Sequence, residues 1–378
     1  VFNGGSATFD NLHVTGAEQS VVVMRAGAAR FENTTNIDVL NVIEGAAARI
    51  EGGNGGFWIA VRRNGSVELR DSANGSQFTG IEVQDNAMFR SRGGAAITVN
   101  GPISVTRNSS AFFQGLLDLN YTPGYIGDTG LQVLENSTFH VQGGQIKTNM
   151  LIAGSGTLRS RNTIFTDPFD ESRGGLIRAA IGSAVVMEAG SSAGSIEADG
   201  ASSVSVRDSE LSGDNPSQSR VIQISGGAVL EIHNSTIEGV AYVESNAVLT
   251  LDGSTLNGDV FVRSGGVFRL GQSSLNGDLI LSSRAVAEIL DNASISATAA
   301  VGGACPSDWD QGIRLGAGTT MTLEGSAAIS GYLEAHRLSD LSAWGTTDFA
   351  GAVDAAQWTI DYLNSYGQST LGINVCTA

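Results

Sequence analysis

Apolar residues recur every nineteen positions along part of this chain, and that interval restricts the available folds more than any other feature of the sequence. Four successive segments, AVLEIHNSTIEGVAYVESN, AVLTLDGSTLNGDVFVRSG, GVFRLGQSSLNGDLILSSR and AVAEILDNASIS, align with one another. They place Ile232, Leu251, Leu270 and Ile289 at one position and Ile237, Leu256 and Leu275 at another. A repeat this short cannot bury its apolar face alone; it does so by stacking on its neighbours, which is the definition of a solenoid. Fainter copies run upstream. Phe31, Ile50 and Leu69 stand in step, with Phe89 one residue late, and the beat returns at Phe139 with Leu158 and at Met187 with Val206. With Phe9, Val105, Leu119 and Leu323 as degenerate members, the chain reads as about sixteen coils.

Inside one coil the apolar period is two, as in Leu249 with Leu251 and Val260 with Val262, which is the spacing of a strand and not of a helix. Asn257-Gly258, Asn276-Gly277 and Gly265-Gly266 punctuate the strands at corners, where a positive φ penalises a Cβ. Parallel stacking of equivalent strands then fills the interior with ladders such as Leu230, Leu249 and Phe268. The fold predicted is all-β, a right-handed parallel β-helix, the hand being the usual one for crossovers between parallel strands. Residues 1–299 read as the solenoid proper and 300–378 as its last coils with a C-terminal cap.

Composition supports this reading and excludes others. With 50 glycines, 5 prolines and 41% apolar residues, the chain is too hydrophobic for disorder and too interrupted for long helices. A net charge of −17, with Lys147 the only lysine, argues against nucleic acid, whose phosphates demand clustered cations. No apolar run is long enough for a transmembrane helix. A start at Val1, without Met, reads as a processed mature chain or equally as a trimmed one. Cys305 and Cys376, both in the last fifth of the chain, suit a disulfide in an oxidising compartment, or else two buried thiols.

The beat is interrupted at Gly52 to Trp58, Leu116 to Gly130, Phe165 to Gly175, Gly213 to Arg220 and Thr298 to Thr320. Such insertions become loops, and loops carry most binding functions. The second and third gather Tyr121, Tyr125 and Asp128, then Asp167, Asp170, Glu171 and Arg173, a candidate ligand set. Near the C-terminus, Val353, Ala356, Ile360 and Leu363 fall at helical spacing before Gly367, which predicts a short capping helix.

Tyr242, Phe261 and Ile280 share one repeat position flanked by inward residues, so alternation turns them outward. An exposed apolar ladder of this kind points to a protein contact, with a self-associating lateral neighbour or with a covering loop, and a local bend or self-packing stripe would produce it as well. Asp259 and Asp278 also share a position, about 5 Å apart across adjacent coils, where a calcium ion would relieve their repulsion and solvation at a corner would do the same. The four histidines, His13, His140, His233 and His336, are scattered, and no Gly-His-Gly, tandem Asp-Asp or Trp-x-Asp-His motif suggests a polysaccharide-cleaving site. Asn-x-Ser/Thr triplets at Asn33, Asn64, Asn74, Asn108, Asn120, Asn136, Asn234 and Asn292 read as turn and ladder residues fixed by the coil.

The stretch NSTIEGVAYVESNAVLTLDGSTLNGDVFVRSGGVFRL resembles the repeat of autotransporter passenger domains and related bacterial surface β-helix adhesins. The resemblance is strongest over residues 226–295 and implies export to the cell surface and a part in adhesion, aggregation or biofilm. Those families carry a C-terminal membrane β-barrel that this sequence does not include, so export by their route is expected only if such a barrel is cleaved off. The expectation is therefore a secreted or surface-bound structural or adhesive solenoid, without enzymatic activity or an obligatory cofactor. Its expected partners are copies of itself or a cell-surface or polysaccharide ligand. The alternative is a polysaccharide-binding or polysaccharide-degrading β-helix enzyme working through the loop residues.

Overall fold

The computed structural model describes residues 2–10, 21–32, 38–51, 55–70, 76–92, 96–121, 129–169, 174–213, 219–298, 312–331, 333–335, 340–345, 348–353 and 371–375. The chain forms two compact units, Val1–Gly194 and Ser195–Ala378, and position 299/300 lies inside the second. Each unit is a parallel β-helix. Neighbouring strands pair in parallel throughout both, and no helix occurs among the described residues.

The second unit shows the plan most clearly. One coil consists of Val229–His233, Thr236–Glu238 and Val240–Val243; the next repeats it with Val248–Asp252, Thr255–Asn257 and Val260–Val262. Three strands per coil generate three sheets, here called first, second and third in that order. Alternation along each strand sends every second residue inward, and the parallel register sets it on its counterpart. In the first sheet Ile232, Leu251, Leu270, Ile289 and Leu323 form one buried column, and Leu230, Leu249, Phe268, Ala287 and Met321 another. The second sheet contributes Ile237, Leu256, Leu275, Ile295 and Ile329, and the third Val243, Val262, Leu281 and Leu315.

Counterparts lie nineteen residues apart where the repeat is clean, yet Ile289 and Leu323 still pair across a coil of 34. The extra length falls between the second-sheet strand Ser294–Ser296 and the third-sheet strand Ile313–Leu315, and the ladder above and below keeps its register. Ile313–Leu315 is a regular third-sheet strand resting on Leu279–Leu281, although the whole of Thr298 to Thr320 reads as insertion in the sequence.

In the first unit the first sheet climbs from Ser6–Asp10 through Ala28–Glu32, Ala47–Glu51, Ser66–Leu69 and Met88–Ser91. It continues along the opening halves of Ser110–Asn120, Thr138–Lys147 and Thr157–Thr166. Phe31, Ile50 and Leu69 stack as the spacing predicts, and Phe9 lies on Phe31 with ring centroids 5.1 Å apart.

Phe89 does not extend that column. The coil before it is 22 residues long, so Phe89 pairs with Val67, and Ser91 takes the place beside Leu69. Val105 and Leu119 also belong elsewhere. Val105 lies in the third sheet between Val83 and Val133, and Leu119 in the second between Val99 and Ile146. All three sheets share the same inward alternation, so a residue of one imitates the pattern of another. Buried Ser91 leaves room for large neighbours: Phe113 packs against both Phe89 and Phe139, with centroids 5.2 and 5.3 Å apart.

Two further predicted interruptions are partly strand. Gly55–Arg62 takes in Gly55 to Trp58, and Ser110–Asn120 takes in Leu116 to Asn120, with a register shift between Gln114 and Leu117. At the C-terminal end Val353 closes the strand Asp348–Val353, which pairs with Leu371–Val375. Ala356, Ile360, Leu363 and Gly367 of the predicted helix lie outside the described residues, as do Cys305 and Cys376.

Candidate functional site

Ala241 and Val243 face the core, so the residue between them cannot; the same parity turns Phe261 and Ile280 outward on the third sheet. Register aligns Tyr242 with Phe261 and Phe261 with Ile280, as the repeat predicts. All three are half-buried. The rings of Tyr242 and Phe261 stack at 5.0 Å with 11° between their planes. The Arg220 guanidinium lies 4.6 Å from the Tyr242 centroid, and Arg263 lies 5.6 Å from Tyr242 and 5.4 Å from Phe261.

The ring faces are thus occupied by each other and by cations, each such contact being worth about 0.5–1 kcal/mol at an exposed site. What the strip offers a partner is ring edges, the Ile280 side chain and a cationic margin. Its apolar run spans three rungs, with Gln223 on one side and Arg314 on the other. Arg220 also donates to Gln223 Oε1 at 2.7 Å, and Arg263 pairs with Glu244 at 3.9 Å. The arginines escape the sequence reading, although Arg263, two residues after Phe261, shares its face by strand alternation.

Asp259 and Asp278 stand at equivalent corners, each held by donors from the following coil. Asp259 Oδ1 accepts the Asp278 N–H at 2.8 Å; Asp278, 5% exposed, accepts the Thr298 N–H at 2.7 Å and its hydroxyl at 3.0 Å. These donors supply the compensation that a cation would otherwise provide. Among the described residues no three His, Cys, Asp or Glu side chains converge as metal ligands.

Of the loop residues, Tyr121 and Asp167 are described. They follow Asn120 and Thr166, which stand two rungs apart with Lys147 between them, so both emerge at the same corner. Asp167 Oδ1 accepts the Phe169 N–H at 2.7 Å, a local turn. Tyr125, Asp128, Asp170, Glu171 and Arg173 lie outside the described residues. Asn64, Asn108, Asn136, Asn234 and Asn292 all adopt φ between 48° and 62°, which fits their reading as turn residues.

His233 Nδ1 lies 3.4 Å from Asp252 Oδ2. His140 stands edge-on to Phe112, and its pKa is lowered, chiefly by burial and then by the Arg159 charge, against a raising influence from Glu188. Among the described residues the most exposed large apolar side chains, Met88, Leu116, Ile164, Phe169 and Ile181, are all in the first unit, and none is singled out by the repeat.

Fold and strip together define a parallel β-helix with an outward aromatic ribbon. Compared with protein-family models, curated proteins and solved structures, the chain finds no match.

Proposed function

We propose that this chain is an extracellular structural or adhesive β-solenoid, a surface adhesin or a subunit of a self-associating fibre, with no catalytic role and no cofactor. The observation that carries this reading is the Tyr242–Phe261–Ile280 strip, an outward apolar ladder on a sheet whose inward positions already complete the core. Its occupant is a second copy of the chain. The net charge of −17 supports solubility away from that strip, and the likeness of residues 226–295 to bacterial surface repeats supports a place outside the cell.

Replacing Phe261→Asp together with Tyr242→Asp puts two charges on the strip without touching an inward residue. Light scattering and electron microscopy should then show assembly lost, with the far-ultraviolet circular dichroism unchanged. Assembly that persists in the double variant overturns the reading. The alternative, a polysaccharide-degrading enzyme, predicts release of reducing ends or unsaturated uronates from acidic polysaccharides, and such turnover would replace the structural reading.

A further inference from the structure

Charge is unevenly divided along the chain. Residues 1–194 hold 14 of the 21 basic residues and 17 of the 38 acidic ones, a net of −3; residues 195–378 hold the other 7 basic and 21 acidic residues, a net of −14. In the first unit five arginines gather on the outer face of the first sheet. One outward column runs Arg30, Arg49, Glu68, Arg90. Beside it Glu32 and Glu51 are followed by Arg70 and Arg92, each one residue beyond its strand.

The glutamates are already shared. Glu51 pairs with Arg49 and with Arg30, the latter at 2.5 Å; Glu68 pairs with Arg70 at 3.1 Å and Arg92 at 2.6 Å. The Arg90 side chain has no ion pair or hydrogen bond among the described residues, and its Nε is shielded from solvent. Two residues before it on the same face, Met88 is 42% exposed, because its column is otherwise small: Ala28, Ala47 and Ser66 on one side, Ser110 on the other.

We infer that Met88, Arg70, Arg90 and Arg92 form a docking patch for the acidic residues 195–378 of a second copy. This deepens the self-association reading and rests on it, adding a contact distinct from the aromatic strip. Exposed methionine beside arginine is the composition of interface cores, and the complement is present in the same sequence. Along the first sheet of the second unit and the turn after it, Asp252, Asp291 and Glu324 border a notch whose lining also holds Gly271, His233 and Arg269; Arg269 is already paired with Glu288 and His233 lies beside Asp252, so the carboxylates outnumber the cations. A patch that binds a different patch makes a heterologous contact, which propagates into open chains unless its rotation closes a ring.

The test is sedimentation velocity on the full chain in about 0.02 M and about 0.5 M salt, a range across which exposed charge pairs lose most of their attraction. The patch predicts tenfold or greater weakening of self-association at high salt, and a similar loss at low salt in Arg90→Glu with Arg92→Glu. Mixing that variant with Asp291→Arg, Glu324→Arg chains should restore assembly. Unchanged circular dichroism establishes that the variants fold.

Assembly insensitive both to salt and to the arginine changes, yet abolished by Tyr242→Asp with Phe261→Asp, overturns this inference and leaves the proposed function standing. A chain monomeric in every condition overturns both. Arginine variants that assemble normally but lose retention on an immobilised acidic polysaccharide assign the patch to a glycan and overturn the inference as well.

Discussion

At the level of single residues, burial decides what titration can do. His140 is held neutral by its partly buried place beside Arg159, so its folded pKa lies below the ordinary 6.5. The unfolded chain therefore binds a proton first as pH falls. Stability from this group is complete above about 6.5 and declines below it, until the folded pKa is also passed. Urea midpoints measured downward from pH 7 should fall through this window, and His140→Gln should flatten that part of the curve; equal slopes for the two proteins would exclude the effect. Residue by residue, the sequence made the inward ladders legible where coils are equal in length, as at Leu251 and Leu270. It misplaced Phe89 because one coil of 22 residues shifts every later match, and position alone does not show which corner absorbed the excess.

At the level of the element, the corners are as specified as the strands. Ser235, Ser254 and Ser273 are buried and form a file between the first and second sheets. The Ser235 N–H donates to Ser254 Oγ at 3.2 Å and the Ser254 N–H to Ser273 Oγ at 2.9 Å, while Ser254 Oγ donates to the Asp252 carbonyl at 3.0 Å. Each hydroxyl serves an amide that the corner removes from the β-ladder. Ser254→Ala should cost about 1–3 kcal/mol by leaving the Ser235 N–H buried without its acceptor. Chemical denaturation checks this, and a change within about 0.5 kcal/mol, the usual range for surface positions, would count against the file. The corner at Gly239, Gly258 and Gly277 is equally strict: a Cβ at 258 or 277 would overlap the carbonyl oxygen of the preceding glycine. The sequence showed the glycines at the corners but not the role of the serines, since hydroxyl direction depends on the path of the next coil. The aromatic strip was legible through parity alone, whereas the arginine patch was not, because its members come from coils of unequal length.

At the level of the whole molecule, stability accumulates from contacts between adjacent coils and not from one central core. In the second unit, removing residues 267–285 excises one complete coil and joins Ala247–Val262 directly to the strand Val286–Ile289 and its successors. Leu251 would then rest on Ile289 and Leu256 on Ile295, apolar on apolar. The shortened chain should fold, with cooperative thermal unfolding and an unchanged far-ultraviolet spectrum per residue. Deleting ten residues over the same stretch, which breaks the phase of every ladder, should abolish folding. Equal tolerance of both deletions would show that the columns do not set the register.

The unequal coils have one more consequence. A turn that stretches from nineteen residues to 34 while Ile289 still meets Leu323 separates what the molecule displays from what holds it upright. Selection can lengthen or shorten a coil between its strands while the columns of the scaffold register no change.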